Sequence, residues 1–211
     1  MEFKQVLKQW SIALTGGIAC GKSTIATIIR QQGLIVVDAD TMSRQVVAPG
    51  TEGLAEVVKS FGPEILDADG SMNRSAMRTL VFSDPQKRLQ LEAIIHPRLQ
   101  AEVVKELEKH GFFQRPQIWF YEASLIYERQ RAADFKQLWV AYCPEEVQIE
   151  RVMQRDRCSR EIAQAILATQ MPARDKADLA DRVIRTDCTP EELQRQVLKV
   201  LSPLLTAEQS P

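Results

Sequence analysis

Ser11-Ile-Ala-Leu-Thr-Gly-Gly-Ile-Ala-Cys-Gly-Lys-Ser-Thr24 is the stretch that decides the fold. Gly16, four intervening residues and then Gly21-Lys22-Ser23 spell a phosphate loop, G-x-x-x-x-G-K-[ST]. Ile12 to Leu14 is a short apolar run suited to a buried parallel strand. The glycines permit a tight turn in which backbone N–H groups converge on a phosphate with no Cβ in the way. Lys22 supplies a point charge to the outer phosphates, and the Ser23 hydroxyl suits Mg²⁺. Ile25, Ile28 and Ile29 follow at helical spacing, so a helix opening near Lys22 directs the positive end of its dipole at the same anion. Strand, loop and helix in this order imply that the chain binds a nucleoside triphosphate. Residues 17–24 (Gly17, Ile18, Ala19, Cys20, Gly21, Lys22, Ser23 and Thr24) are the expected cradle.

Downstream of the loop, Gly33 caps the first helix and Leu34 to Val37 form a second apolar strand. That strand ends in Asp38-Ala39-Asp40. Carboxylates at the carboxyl end of the strand after a phosphate loop lie where open α/β sheets gather ligands. The alternative is local: Asp38 and Asp40 start a turn, or Asp40 caps a helix over 41–47. Arg44, one helical turn beyond Asp40, suits a substrate phosphate or a pairing with Asp40. Residues 74–110 read as mostly helical, with Pro85 opening one helix after Asp84 and His96-Pro97 breaking that helix from the next. Such an excursion exceeds a simple crossover. It predicts a helical insert over 41–111 that covers the substrate.

Three further strands are expected: 118–121 ending at Glu122, 137–143, and a weak one at 182–185. A last amphipathic helix follows from Thr189, and the tail after Pro203 is expected to fray. Arg151, Arg155, Arg157, Arg160, Arg174 and Lys176 fall in one polar helical segment over 151–181. Its place after the fourth strand predicts a lid that lays guanidiniums over the triphosphate. The core is thus assembled from 1–40, 112–150 and 182–211.

The totals limit what such a machine acts on. The chain has 211 residues and a net charge of −1, so no global positive field recruits nucleic acid or a membrane surface. Its four cysteines show no C-x-x-C pair, and two histidines cannot build a histidine metal site. Reduced thiols imply a cytoplasmic protein; the expected partner is a small-molecule substrate, and the expected state a monomer or weak homo-oligomer. No segment reads as a signal peptide or a membrane span.

Taken in order, Thr15-Gly-Gly-Ile-Ala-Cys-Gly-Lys-Ser-Thr24, Val37-Asp-Ala-Asp40 with Arg44, His96-Pro97, Met153-Gln-Arg-Asp156 with Ser159-Arg160-Glu161, and Gln170-Met171-Pro172 resemble the dephospho-CoA kinase family. The resemblance implies an α/β fold of P-loop NTPase/kinase-like three-layer type, with a five-stranded parallel sheet core, a helical CoA-binding insert and a lid. It implies transfer of the ATP γ-phosphoryl to the ribose 3′-hydroxyl of dephospho-CoA, with Mg²⁺. By position, Asp40 would be the base, while Asp38 with Ser23 would serve the metal. Arg155 and Arg160 would be lid contacts, Arg151 would lie near the adenine, and Arg44 and His96 would fall on the substrate side. The sequence departs from the family pattern at Glu122-Ala-Ser124, Arg185-Thr186 and Ala177.

Without the resemblance, other acceptors remain open: a nucleoside, a nucleotide or a sugar. A nucleotide-dependent switch is disfavoured. The only asparagine, Asn73, precedes Arg74, so no Asn-Lys-x-Asp element reads guanine. The third strand ends in Glu122 rather than the Asp of an ATPase motor.

Overall fold

The computed structural model describes residues 2–207. Five strands are hydrogen-bonded in the order β2-β3-β1-β4-β5. They are β1 (Ser11–Gly16), β2 (Val36–Asp38), β3 (Trp119–Glu122), β4 (Gln137–Tyr142) and β5 (Arg182–Arg185). β1 pairs in parallel with β3 and β4, placing Ile12 opposite both Phe120 and Gln137, and β4 pairs in parallel with β5. Every residue of β1 is buried, as a central strand covered on both faces requires. The strand bearing the phosphate loop is therefore the middle of the sheet.

One face of the sheet is covered by α2 (Lys22–Gln31) and α10 (Pro190–Ala207). There Ile25, Ile29, Leu193, Val197 and Leu201 pack with Leu14, Phe120, Trp139 and Ile184. Against the rest of the core lie α1 (Phe3–Trp10), α7 (Glu145–Asp156), α8 (Arg160–Leu167) and α9 (Ala173–Asp178). The α1 helix was not expected from its mixture of charges. Its signal is the spacing of Phe3, Val6, Leu7 and Trp10, of which Val6 and Leu7 are buried.

The chain divides into two compact units, 1–37 with 111–211, and 38–110. The second holds α3 (Ala39–Gln45), α4 (Glu52–Phe61), α5 (Arg74–Ser83) and α6 (Pro85–Lys109). Val46, Val47, Val57, Ile65, Met77 and Ile94 form its core. Residues 41–110 of the expected 41–111 insert fall in the second unit, and residues 151–181 fall in the first.

Three sequence expectations need correction. The polar segment over 151–181 is three helices, not one. Pro97 does not break its helix, since α6 runs unbroken for 25 residues. A mid-helix proline removes an N–H and crowds the carbonyl four residues back. Here the neighbouring Arg98 donates from Nη1 to Ile94 O at 2.8 Å and pairs with Glu56 of α4, tying the disturbed turn to the unit's core. Likewise α10 continues past Pro203 to Ala207, and the remainder of the tail lies outside the described residues.

Candidate active site

The phosphate loop is held from outside by its own carbonyls. Lys22 Nζ donates to Gly16 O and Gly17 O, at 3.3 Å each. Gln148 Nε2 of α7 donates to Ile18 O at 2.7 Å. Arg151 Nη1, one turn on, donates to Ala19 O at 3.2 Å. Thr186, just past β5, donates its hydroxyl to Cys20 O at 3.0 Å. Every carbonyl from residue 16 to 20 therefore accepts from a side chain. In a trans peptide the next N–H points opposite to the carbonyl, and the chain has no cis bond. Turning the carbonyls of Ile18 and Cys20 outward turns the amides of Ala19 and Gly21 inward, the arrangement an anion requires. Positive φ at Ala19 (57°) and Gly21 (76°) makes this curl, and Ala19 accepts the left-handed region without a glycine's freedom.

Gly17 has a second reason to lack a side chain. A Cβ there would stand 2.5 Å from Gln148 Nε2 and 3.2 Å from the Ala173 Cβ. The loop thus admits its own brace only because that position is bare.

Arg151 is more occupied than its expected place near an adenine suggests. Besides Ala19 O it donates from Nη1 to Thr186 Oγ1 at 3.1 Å and from Nη2 to Thr186 O at 2.7 Å. Thr186 takes part in both contacts. With one proton, its hydroxyl accepts from Arg151 and donates to Cys20 O, which extends the brace across the loop. Cys20 itself is buried against Cys143 at the end of β4, with the sulfurs 3.8 Å apart. The hydrogen bond from Cys143 lowers the Cys20 thiol to about 7, with Lys22 adding to the effect, and the same contact pushes Cys143 upward.

At the N-terminus of α2, Ser23 and Thr24 are exposed beside half-buried Lys22. Arg155 and Arg160 are exposed but paired. Arg155 forks onto Asp156 at 2.7 and 2.8 Å, and Arg160 Nη2 bonds both oxygens of Glu146. To serve a triphosphate, each would exchange a carboxylate for a phosphate. Lys176, grouped with the lid cations by sequence, is wholly buried instead. Its ammonium bonds Glu128 Oε1 at 2.7 Å and Ser124 O at 2.9 Å, and Glu128 also accepts from Met171 N. We expect Lys176→Met, which strands the Glu128 carboxylate, to cost roughly 3 kcal/mol in denaturant unfolding. Adding Glu128→Gln should recover most of it, and an unchanged midpoint in the single variant would show the pair to be dispensable. Glu122 at the tip of β3 is buried, with Arg30 Nη2 at 3.7 Å.

In the second unit, Asp38 rather than Asp40 caps the helix. Its Oδ1 accepts from Thr41 N at 2.8 Å and its Oδ2 from the Thr41 hydroxyl at 2.7 Å. Because β2 ends at Asp38 and α3 begins at Ala39, the two carboxylates do not alternate along a strand. Asp40 sits in the first turn of α3 and Arg44 in the last. Sequence reasoning missed Arg74, at the start of α5, whose guanidinium is held below its ordinary value by burial and by the charge of Arg44. Two cations facing each other suit a polyanion. His96 is exposed midway along α6. Among the described residues no helix is long and apolar enough to cross a membrane, and no cluster of three His, Cys, Asp or Glu is placed to hold a metal.

The chain is similar to known proteins in sequence and in fold. The family model described as dephospho-CoA kinase matches residues 10–192. The chain is 41% identical over 193 residues to the dephospho-CoA kinase of Anaeromyxobacter dehalogenans, covering 92% of this chain and 91% of that protein. It is 40% identical over 192 residues to that of Geobacter sulfurreducens, covering 90% and 95%. Among solved structures, a Thermus thermophilus protein superposes with a TM-score of 0.78 at 30% identity, over 96% of this chain and 98% of that one. The dephospho-CoA kinase of Campylobacter jejuni shares the fold at 0.63 and 24% identity, over 94% and 98%. With a phosphate loop braced for a triphosphate and a match that runs from β1 into α10, the chain belongs to the dephospho-CoA kinase family.

Proposed function

We propose that the protein transfers the γ-phosphoryl group of ATP to the ribose 3′-hydroxyl of dephospho-CoA, giving coenzyme A. The observation that carries this reading is the match over 10–192, which takes in both the braced loop and Asp40. In-line phosphoryl transfer asks little covalent chemistry of a protein, so positioning and charge neutralisation do most of the work. The inward amides of the loop and Lys22 hold the outer phosphates. Asp40 takes the proton of the attacking hydroxyl. Arg44 and Arg74 bind the diphosphate of the acceptor, and His96 lies on the same substrate unit. Arg155 and Arg160 leave their carboxylates for the triphosphate as the lid segment over 151–181 closes. Arg151 acts on the nucleotide through the loop and through Thr186.

The donor set fits Mg²⁺ shared with the nucleotide. One hydroxyl, Ser23, stands at the head of α2 and would be the protein's own ligand to an ion that otherwise keeps oxygen ligands from nucleotide and water. Held there, the ion would supply positive charge that offsets the charge of the outer phosphates. Asp38, already engaged at both oxygens by Thr41, would support its hydration shell. The setting we propose is the cytoplasm, where thiols such as Cys20 and Cys143 remain reduced. We propose a monomer or weak homo-oligomer with no nucleic-acid or membrane partner.

An ATP-consumption assay with dephospho-CoA, set beside adenosine, AMP and a sugar, tests the reading. ADP should form in step with coenzyme A and only slowly with the others. Hydrolysis that ignores the acceptor, or preference for another acceptor, would defeat it.

A further inference from the structure

The two peptide groups that flank the Ile18 Cα are each gripped by an amide side chain. Ile18 N donates to Gln170 Oε1 at 2.9 Å, while Ile18 O accepts from Gln148 Nε2 at 2.7 Å. Backbone polarity fixes both amide orientations: a backbone N–H meets only an acceptor, and a carbonyl only a donor. Gln148 is almost fully buried and lies on the same stripe of α7 as Val152, an unusual place for an amide. Gln170 lies between α8 and α9, in a segment pinned again by Met171 N on Glu128. The Ile18 side chain meanwhile packs against the cluster of Ile149, Val152 and Ala163. The lid helix and the loop therefore meet at one residue.

We propose that Gln148 and Gln170 are positioning residues for the triphosphate. By fixing the two peptide planes on either side of Ile18, they set the direction of the inward amide at Ala19. Gln148 works as a donor and Gln170 as an acceptor. Gly17 is bare so that the donor can approach. The proposal rests on the kinase reading for what the loop holds, but not on which acceptor is used.

That polarity gives a test that a bulk structural role would not pass. Glutamate is close in shape to glutamine but, when ionised, only accepts. Gln170→Glu keeps its bond and suffers only the repulsion of a carboxylate near the triphosphate. Gln148→Glu carries a similar repulsion and also sets a carboxylate against the Ile18 carbonyl. ATP affinity is measured by calorimetry without acceptor at about pH 8.5, above the range of a carboxylate raised by burial. Kd should rise about threefold in Gln170→Glu and about thirtyfold in Gln148→Glu, the tenfold ratio being one lost hydrogen bond. On lowering the pH toward about 6, Gln148→Glu should regain affinity as its carboxyl protonates and donates again, whereas Gln170→Glu should gain far less.

Gln170→Leu, which cannot accept, should be weaker than Gln170→Glu despite lacking the charge. If Gln148→Glu does not fold, Gln148→Met takes its place, with a Kd raised about tenfold. Equal effects of the two glutamates, no recovery at low pH, or an unchanged Kd in Gln148→Met would overturn the proposal. Failure of the wild type to use dephospho-CoA would defeat the kinase reading instead, and would leave the pattern of ATP affinities intact.

Discussion

Lys22→Ala should lower kcat/KM for ATP by about a hundred- to a thousandfold, the range found when one fixed donor to a developing anion is removed. Two losses combine. The ammonium no longer meets the outer phosphates, and the carbonyls of Gly16 and Gly17 lose the donor 3.3 Å away that helps hold them outward. Lys22→Arg separates these. It keeps the charge, but a planar fork replaces a compact point charge on a flexible stem, so we expect it to stay well below wild type. Steady-state kinetics against ATP at saturating dephospho-CoA, with a melting curve for each variant, provides the check. Native kinetics in Lys22→Ala would contradict the assignment of the loop.

The reason a lysine can be read so directly is that its part of the site is local. Gly16, Gly21, Lys22 and Ser23 lie within one turn and its flanks, so spacing alone places them. The strands were legible for a similar reason, as apolar runs bounded by turn residues, and β5 spans the expected 182–185. What holds the loop was not legible. Gln148 is 130 residues from Ile18, and Thr186 is 166 residues from Cys20. No local pattern announces that either side chain reaches back to the loop. A glutamine four residues before Val152 on an apolar stripe was the one available signal for Gln148. Pro97 misled because the local rule was correct and incomplete: a tertiary tie through Arg98 kept the helix going. Lys176 misled in the opposite way, since a cation in a charged segment reads as solvated, whereas Glu128 and Ser124, some fifty residues upstream, draw it inside.

Asp38 and Asp40 show the same limit at closer range, since D-A-D spells a cap and a base equally well. Geometry assigns the cap to Asp38, which is bonded to both the backbone and the hydroxyl of Thr41. Asp40 lies in the first turn of α3, and it is the residue we propose as the base. Asp40→Asn is close to isosteric and leaves that cap in place. It removes the one capacity that the proposed role asks of Asp40, acceptance of the 3′-hydroxyl proton. Turnover should therefore fall by about a hundred- to ten-thousandfold, the usual worth of a positioned general base, while the calorimetric Kd for ATP stays within about twofold of wild type. Asp38→Ala should behave differently, losing about 1 kcal/mol of stability with the cap. Asp38→Asn, which can still accept from Thr41 N, should lose less. If turnover instead survives in Asp40→Asn, and falls by orders of magnitude in Asp38→Asn without a matching loss of stability, the roles are exchanged. The base would then be the residue that also starts the helix.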